Sequence, residues 1–311
     1  MSKILFISDL HLRHDTPQGR TDNFGETMFN KLKYVLDTAL FHNVSAILQA
    51  GDFFHKPEPP MYLLNELIGL LQAFDIPIMS ICGQHDLYMR NKNTDKSAFG
   101  LLDRVQLLQD VGRTKPLKVD NCYIYGCQFG EQMEDWGAKK SEFNILIIHD
   151  MIGNKPLYPG HELTDAGKFL ENYPEYQIIL CGDYHYPFHI VREGRHIINT
   201  GCLLRMSRDE RDMNRTPFFY ILDTAGIEEG YYKLTKYNVP CESAENVFSK
   251  VSEKQEKDSM MSEGELLRFI QQLKQRNKSG INFMSVLDDY FKENDTSEEV
   301  RNQIAEVLSN E

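Results

Sequence analysis

Lys3-Ile4-Leu5-Phe6-Ile7-Ser8-Asp9-Leu10-His11 is the stretch that sets the reading of this chain. A short apolar run without alternation predicts a strand buried on both faces. A carboxylate and an imidazole follow at its end. The same pattern returns at residues 45–50, 77–82, 144–148 and 177–181, each a short run rich in Ile and Leu that stops at polar residues. Between the first two runs, Phe29, Leu32, Leu36 and Leu40 recur at helical spacing, and residues 61–74 and 98–108 also read as helices. Strands alternating with helices predict a layered α/β core.

From about Asn121 onward strands crowd together. Residues 121–128, 196–199, 218–222 and 231–237 join the runs at 144–148 and 177–181 in what reads as a second sheet packed on the first. The expected organisation is a core over 1–204, a short capping and strand segment over 205–240 that completes it, a polar linker over 241–261, and a helical tail over 262–311. In the tail, Ser262-x-x-Glu265 and Thr296-x-x-Glu299 are capping boxes, in which side chains satisfy the first free amides of a helix. The apolar faces are Leu266 to Leu273, Leu287 to Phe291 and Ile304 to Leu308. So small a helical unit builds little core of its own and needs a surface to pack on.

The 311 residues carry a formal charge of −12, which argues against a general nucleic-acid binder, since those are basic. The excess is uneven: from Cys241 onward there are nine Lys and Arg against fifteen Asp and Glu, a net −6. Any nucleic-acid contact therefore calls for a local patch or bound metal. The six cysteines form no C-x-x-C pair, and most fall in apolar runs, so they read as buried thiols. The first residues are too short an apolar run for a signal peptide, and no stretch approaches a membrane span. The expected compartment is the cytoplasm, with no membrane partner.

Five polar clusters carry the chemistry: Asp9-Leu10-His11, Gly51-Asp52-Phe53-Phe54-His55, Gly83-Gln84-His85-Asp86, His149-Asp150 and Gly182-Asp183-Tyr184-His185. Each follows an apolar strand, where open α/β sheets place their ligands. Alone, each is weak: a His after a strand is more often structural, and a Gly-Asp pair more often a turn. Together they offer carboxylates and imidazoles suited to Mn, Fe or Zn. Their number suggests two ions that share a bridging carboxylate, an arrangement that clamps both the attacking and the leaving oxygen of a phosphoryl centre.

In that order the clusters resemble the signature D-x-H, G-D-x-x-H, G-N-H-D, H, G-H-x-H of the calcineurin-like metallophosphoesterases, matched over residues 3–204. Gly51-Asp52-Phe53-Phe54-His55-Lys56-Pro57 is similar to the branch of SbcD-type DNA-repair nucleases. The resemblance implies a two-sheet sandwich flanked by helices. It also implies one ion on Asp9, His11, Asp52 and His185, and a second on Asp52, Gln84, His149 and Asp183. His85 would assist the leaving oxygen, with Asp86 orienting its ring, and His55 would place the phosphate or the scissile strand. Gln84 stands where the family usually has Asn, and Asp183 where it usually has His. Both changes make the second site richer in oxygen and harder, favouring Mn or Mg.

An arginine-rich stretch (Arg192, Arg195, Arg205, Arg208, Arg211, Arg215) is interrupted by acids. It reads equally as an ion-pair network or as a contact for DNA backbone phosphates, with Arg205 and Arg208 favoured. Tyr184 and Tyr186 flank His185 and pack or stack on bases. His14, His42, His161, His189 and His196 lie outside the clusters and read as structural or surface residues. His14 and His189 are near enough in sequence to touch substrate. The resemblance implies DNA as substrate, an ABC-type ATPase of SbcC type bound by the tail, and a homodimer. The leading expectation is a metal-dependent DNA exo/endonuclease. Its rivals are a phosphodiesterase or phosphatase acting on small molecules or phosphoproteins, and a weakly catalytic DNA-end-binding scaffold.

Overall fold

The computed structural model describes residues 3–113, 115–156 and 162–249. The helical tail over 262–311, most of the expected linker and His161 lie outside the described residues.

The apolar runs become strands because their side chains alternate between two buried faces. In β1 (Lys3–Ile7), Ile4 and Phe6 face one core while Leu5 and Ile7 face another. β7 (Phe143–Asp150) does the same, with Ile145 and Ile147 on one side and Leu146 and Ile148 on the other. Three layers of apolar packing result, so each sheet is covered on both faces.

The first sheet contains β1, β2 (Ala46–Gln49), β3 (Ile78–Ser80) and β4 (Gln109–Asp110) in parallel order. Helices α1 (Phe24–Phe41), α2 (Met61–Gln72) and α3 (Ala98–Arg104) lie between these strands in sequence and cover the outer face. Asn23 caps α1 by accepting the Glu26 amide at 3.4 Å.

In the second sheet, β5 (Leu117–Val119) runs antiparallel to β6 (Cys122–Cys127). After β7 come a short pair, β8 (Ile152–Gly153) and β9 (Thr164–Asp165), and helix α4 (Ala166–Asn172). β10 (Ile178–Asp183), β11 (Phe188–Arg192) and β12 (Arg195–Asn199) follow, giving the order β11-β12-β10-β7-β6-β5. Beyond the short helix α5 (Glu210–Asn214), β13 (Phe218–Asp223) and β14 (Lys233–Asn238) complete the strands.

The α/β two-sheet sandwich matches expectation, with one correction. The strands at 218–223 and 233–238 belong to the first sheet, where β13 pairs antiparallel with β1 (Lys3↔Asp223 to Phe6↔Tyr220). Alternation specifies two buried faces but not which sheet edge a strand joins. Several boundaries also shift. Residues 105–108 leave the expected helix, since Val105 caps α3 and Gln106 has φ 61°.

The start of the expected linker is not loose. In the short helix α6 (Ala244–Val247) and just after it, Val247 and Phe248 are buried. The Thr21 amide donates to the Val247 carbonyl at 3.0 Å, and the Ser249 amide to that of Gly19 at 2.8 Å. The Arg20 guanidinium stacks between Phe24 and Phe248 at 5.1 and 5.0 Å. Five of the six cysteines are buried, and Cys241 is half-buried. Among the described residues, no helix is long and apolar enough to cross a membrane.

Candidate metal centre

All five clusters meet at one end of the sandwich. β1 and β2 in the first sheet, and β7 and β10 in the second, deliver Asp9, His11, Asp52, His149 and Asp183 to the same crevice. The loops are tightly locked. The His11 amide donates to the Asp52 carbonyl at 2.9 Å, and the Asp183 amide to Asp9 Oδ1 at 3.1 Å. The His85 amide donates to Asp52 Oδ1 at 2.9 Å. A Cβ at Gly83 would run into the Asp52 carboxylate, so only glycine allows this approach.

Asp9, His11, Asp52 and Asp183 have φ of 44°, 46°, 50° and 82°. This left-handed region is unfavourable for residues that carry a Cβ, and it persists only where the surroundings over-determine it. Four such residues in one crevice are a structural mark of a working site that no sequence pattern shows.

The ligand atoms of Asp9, His11, Asp52 and His185 lie within 4.8 Å of one another. His11 Nε2 is 3.0 Å from His185 Nε2 and 3.5 Å from Asp52 Oδ2. On the other side, His149 Nε2 is 3.4 Å from the same Asp52 oxygen and 2.9 Å from Gln84 Oε1. Gln84 Nε2 donates to Asp183 Oδ1 at 2.7 Å. Asp52 Oδ2 thus sits between two groups of ligands. Asp9 Oδ2 and Asp52 Oδ2 are buried without any hydrogen-bond partner. Two orphaned carboxylate oxygens among imidazoles are costly in a protein interior. A divalent cation would relieve that cost, and Asp9, His11, Asp52 and His185 fit one.

The electrostatics agree. Burial pushes the Asp9 carboxyl up to about 7. Burial also opposes ionisation of Asp52, but His149, His85 and His11 outweigh it and hold its carboxyl well below the usual range. His149 is disfavoured as a cation by burial, yet the surrounding carboxylates, Asp52 foremost, raise it to about 10. Burial keeps His11 neutral. The crevice therefore demands positive charge at its centre, which a proton on His149 supplies in part.

His55 and His85 stack at 5.1 Å with an interplanar angle of 16°, and both rings lie edge-on to His11. Burial and then Arg13 depress His55 to about 3, so it is a neutral ring. His85 Nδ1 lies 2.9 Å from the His55 carbonyl oxygen. The Nδ1–H must donate there, which leaves Nε2 for chemistry.

This arrangement corrects one expectation. Asp86 does not orient the His85 ring; the His55 backbone does. The Asp86 carboxylate accepts the amides of Phe53 (3.1 Å), Phe54 (2.8 Å) and Gly83 (3.0 Å), tying the second cluster to the third. A backbone carbonyl leaves no residue signal, so sequence reading had no means of finding it. Asp86→Ala strands three buried amides, each worth about 1–3 kcal/mol. We expect a stability loss of at least about 3 kcal/mol, read as a lower urea midpoint; an unchanged midpoint would refute the tie.

The arginine stretch resolves mainly into internal ties. Arg205 is only 4% exposed. It donates to the Met213 carbonyl at 3.0 Å and to the Glu242 carbonyl, so it is no surface contact for DNA. Arg215 holds Asp212 and the carbonyls of Cys202 and Leu204. Arg195 binds the carbonyls of Leu170 and Tyr173. Arg208 is half-buried, lies over Gly19 and reaches Ser249 Oγ at 3.3 Å. Arg211 stacks over Tyr186 at 5.0 Å, beside His185. Tyr184 is buried and packs on Phe188. His189 pairs with His196 at 2.7 Å next to Tyr220, a structural placement. His14 sits near Asp15 at 3.8 Å.

Comparison with known proteins places these observations. The sequence model of the calcineurin-like phosphoesterases matches residues 2–187. The DNA double-strand break repair protein Mre11 of Methanosarcina acetivorans is 27% identical over 199 residues, 59% of this chain and 30% of that protein. Its namesake from Haloferax volcanii is 24% identical over 227 residues, 68% of this chain and 48% of that one. The Archaeoglobus fulgidus protein of the same name is 24% identical over 235 residues, 65% and 50% of the two chains. The chain thus spans half or less of these relatives' length. A solved Thermus thermophilus structure aligns with TM-score 0.45 at 14% identity, covering 76% of this chain and 99% of that one.

Proposed function

The chain belongs to the calcineurin-like phosphoesterase family, and from that premise we propose that it is a metal-dependent nuclease hydrolysing DNA phosphodiester bonds, the catalytic subunit of an SbcCD-like repair and recombination complex. The observation that carries the reaction type is the pair of orphaned oxygens, Asp9 Oδ2 and Asp52 Oδ2, buried among imidazoles. DNA as substrate is supported by the relatives named as double-strand break repair proteins.

In this reading Asp9, His11, Asp52 and His185 hold one divalent ion, and Asp52, Gln84, His149 and Asp183 hold the other. Mn is favoured, with Mg the alternative, because oxygen donors dominate the second set. Two such ions supply Lewis acidity to a phosphoryl oxygen and neutralise the charge that develops there. The protein's residues do the rest. Asp52 sets the separation of the two ligand groups through its position between His11 and His149. His85, fixed through Nδ1 on the His55 carbonyl, offers Nε2 to the leaving oxygen as general acid. The His55 ring stacks against His85, limits its rotation and borders the path of the scissile strand. Arg208 and the Arg211–Tyr186 stack provide a cation and an aromatic face for the nucleic acid.

The apolar faces expected over 262–311 would serve an SbcC-type ATPase, with a homodimer as the assembly and the cytoplasm as the compartment. We expect cleavage of linear single- or double-stranded DNA in Mn, weaker cleavage in Mg and none with chelator, read by gel. Turnover of small phosphodiesters alone would favour a small-molecule phosphodiesterase. No turnover of either, with DNA ends still bound, would favour a scaffold.

A further inference from the structure

We propose that Asp183 is a positioning residue: it fixes the Gln84 amide so that the oxygen, not the nitrogen, faces His149, and an oxygen–nitrogen pair is thereby presented to one divalent cation. This rests on the two-ion reading above and revises it in one respect: Asp183 acts on the second ion through Gln84 rather than as a ligand.

A primary amide has donors at one end and an acceptor at the other, and its neighbours decide which way round it sits. Gln84 has a different neighbour at each end. One end is 2.7 Å from Asp183 Oδ1, and the other is 2.9 Å from His149 Nε2. Asp183 Oδ1 accepts from the NH₂ group, so the amide oxygen faces the imidazole.

The imidazole is fixed as well. His149 Nδ1 lies 2.7 Å from the Ala50 carbonyl oxygen and must donate to it. Nε2 then faces Gln84 Oε1 and offers a lone pair once a cation takes the place of its proton. The 2.9 Å approach of this nitrogen to the amide oxygen requires positive charge between them, either the Nε2 proton or a cation in its place. A second acceptor, Asp52 Oδ2, is 3.4 Å from the same nitrogen, buried and without a hydrogen-bond partner. Gln84 Oε1 and Asp52 Oδ2 thus both face His149 Nε2, at 2.9 and 3.4 Å, and with it form the candidate cation site. If the Gln84 amide turned over, its NH₂ would donate to His149 Nε2 and close that site with a hydrogen bond. Asp183 is what holds the amide against this.

Asp183 is itself rigidly placed. Its amide donates to Asp9 Oδ1 at 3.1 Å, it ends β10 in register with Asp150, and its φ of 82° is rare for a residue with a side chain. The two departures from the family motif, Gln84 and Asp183, are therefore one hydrogen-bonded unit.

The test counts bound Mn²⁺ by electron paramagnetic resonance and measures both affinities by calorimetry. It uses the full chain and three variants: Asp183→Asn, Asp183→Ala, and Asp183→Ala combined with Gln84→Glu. Asn keeps an oxygen for the Gln84 N–H and removes only the charge, so the weaker ion should bind within about threefold of wild type. Ala removes the acceptor and should weaken that ion about 10- to 100-fold. The carboxylate introduced by Gln84→Glu has an oxygen at either end, needs no orienting partner and should restore it. The affinity of the tighter ion serves as the internal check that each variant is folded. If Asn weakens the second ion as much as Ala does, Asp183 acts as a charged ligand and the proposal is overturned. Ala binding both ions like wild type overturns it too. Wild-type protein that binds no Mn²⁺ would sink the two-ion reading, and this proposal with it.

Discussion

Replacing Asp52 by Ala should reduce DNA cleavage by on the order of 10³-fold or more, about 4 kcal/mol of barrier. Among the described residues, no other side chain in the crevice is so placed. Its Oδ2 lies 3.5 Å from His11 Nε2 and 3.4 Å from His149 Nε2, facing both ligand groups at once. Its Oδ1 accepts the His85 amide at 2.9 Å, so the same carboxylate also positions the turn that carries the candidate acid. On the proposed two-ion reading, loss of the side chain removes a shared ligand, a negative charge and a backbone tether together. Asp52→Asn separates these effects. It keeps an oxygen for the His85 amide but removes the negative charge that the proposed cations need, so activity should stay low while stability is largely retained. Mn²⁺ counting should give fewer than two ions in both variants. Two ions bound at wild-type affinity in Asp52→Ala would show that the carboxylate is not shared between the two sites.

His85→Ala should lower kcat by about 10²- to 10⁴-fold, the range expected of a positioned general acid, while leaving Mn²⁺ stoichiometry unchanged. The reason lies in the geometry. His85 Nδ1 is committed to the His55 carbonyl at 2.9 Å, so a single ring nitrogen is left for the substrate. A proton delivered to the leaving oxygen matters most when that oxygen is a poor leaving group. The loss should therefore be large on DNA, whose leaving alkoxide is strongly basic, and much smaller on a nitrophenyl phosphodiester. Equal losses on both substrates would place His85 in phosphate binding instead. KM for DNA should change little, since the effect belongs to the transition state. His55→Ala should be milder, because its backbone carbonyl survives the substitution and only the stacked ring at 5.1 Å is removed.

These two residues also show how much could be read in advance. Asp52 follows an apolar run and precedes a histidine at a telling spacing, so its place at a strand end was legible. The candidate acid was legible for the same reason. What orients His85 was not, because its partner is a peptide carbonyl, and every residue has one. Asp86, adjacent in sequence, was the natural choice, yet its carboxylate is committed to three backbone amides. The arginines show a similar limit. Arg205 carries the charge that phosphate recognition needs, but it is buried and bound to carbonyls 8 and 37 residues away in sequence.

The sequence by itself determined the two-sheet α/β architecture, the order of the five clusters and their position at strand ends. Buried strands are written as local apolar runs, and local patterns survive being read one residue at a time. Tertiary structure alone decided that β13 and β14 join the first sheet, that Arg205 lies inside, and that the His55 carbonyl orients His85. It alone decided that Gln84 and Asp183, 99 residues apart, form a hydrogen-bonded pair. Each of these depends on which distant atoms meet, and a hydrogen bond of about 3 Å is set by the packing of whole sheets rather than by neighbours in the chain.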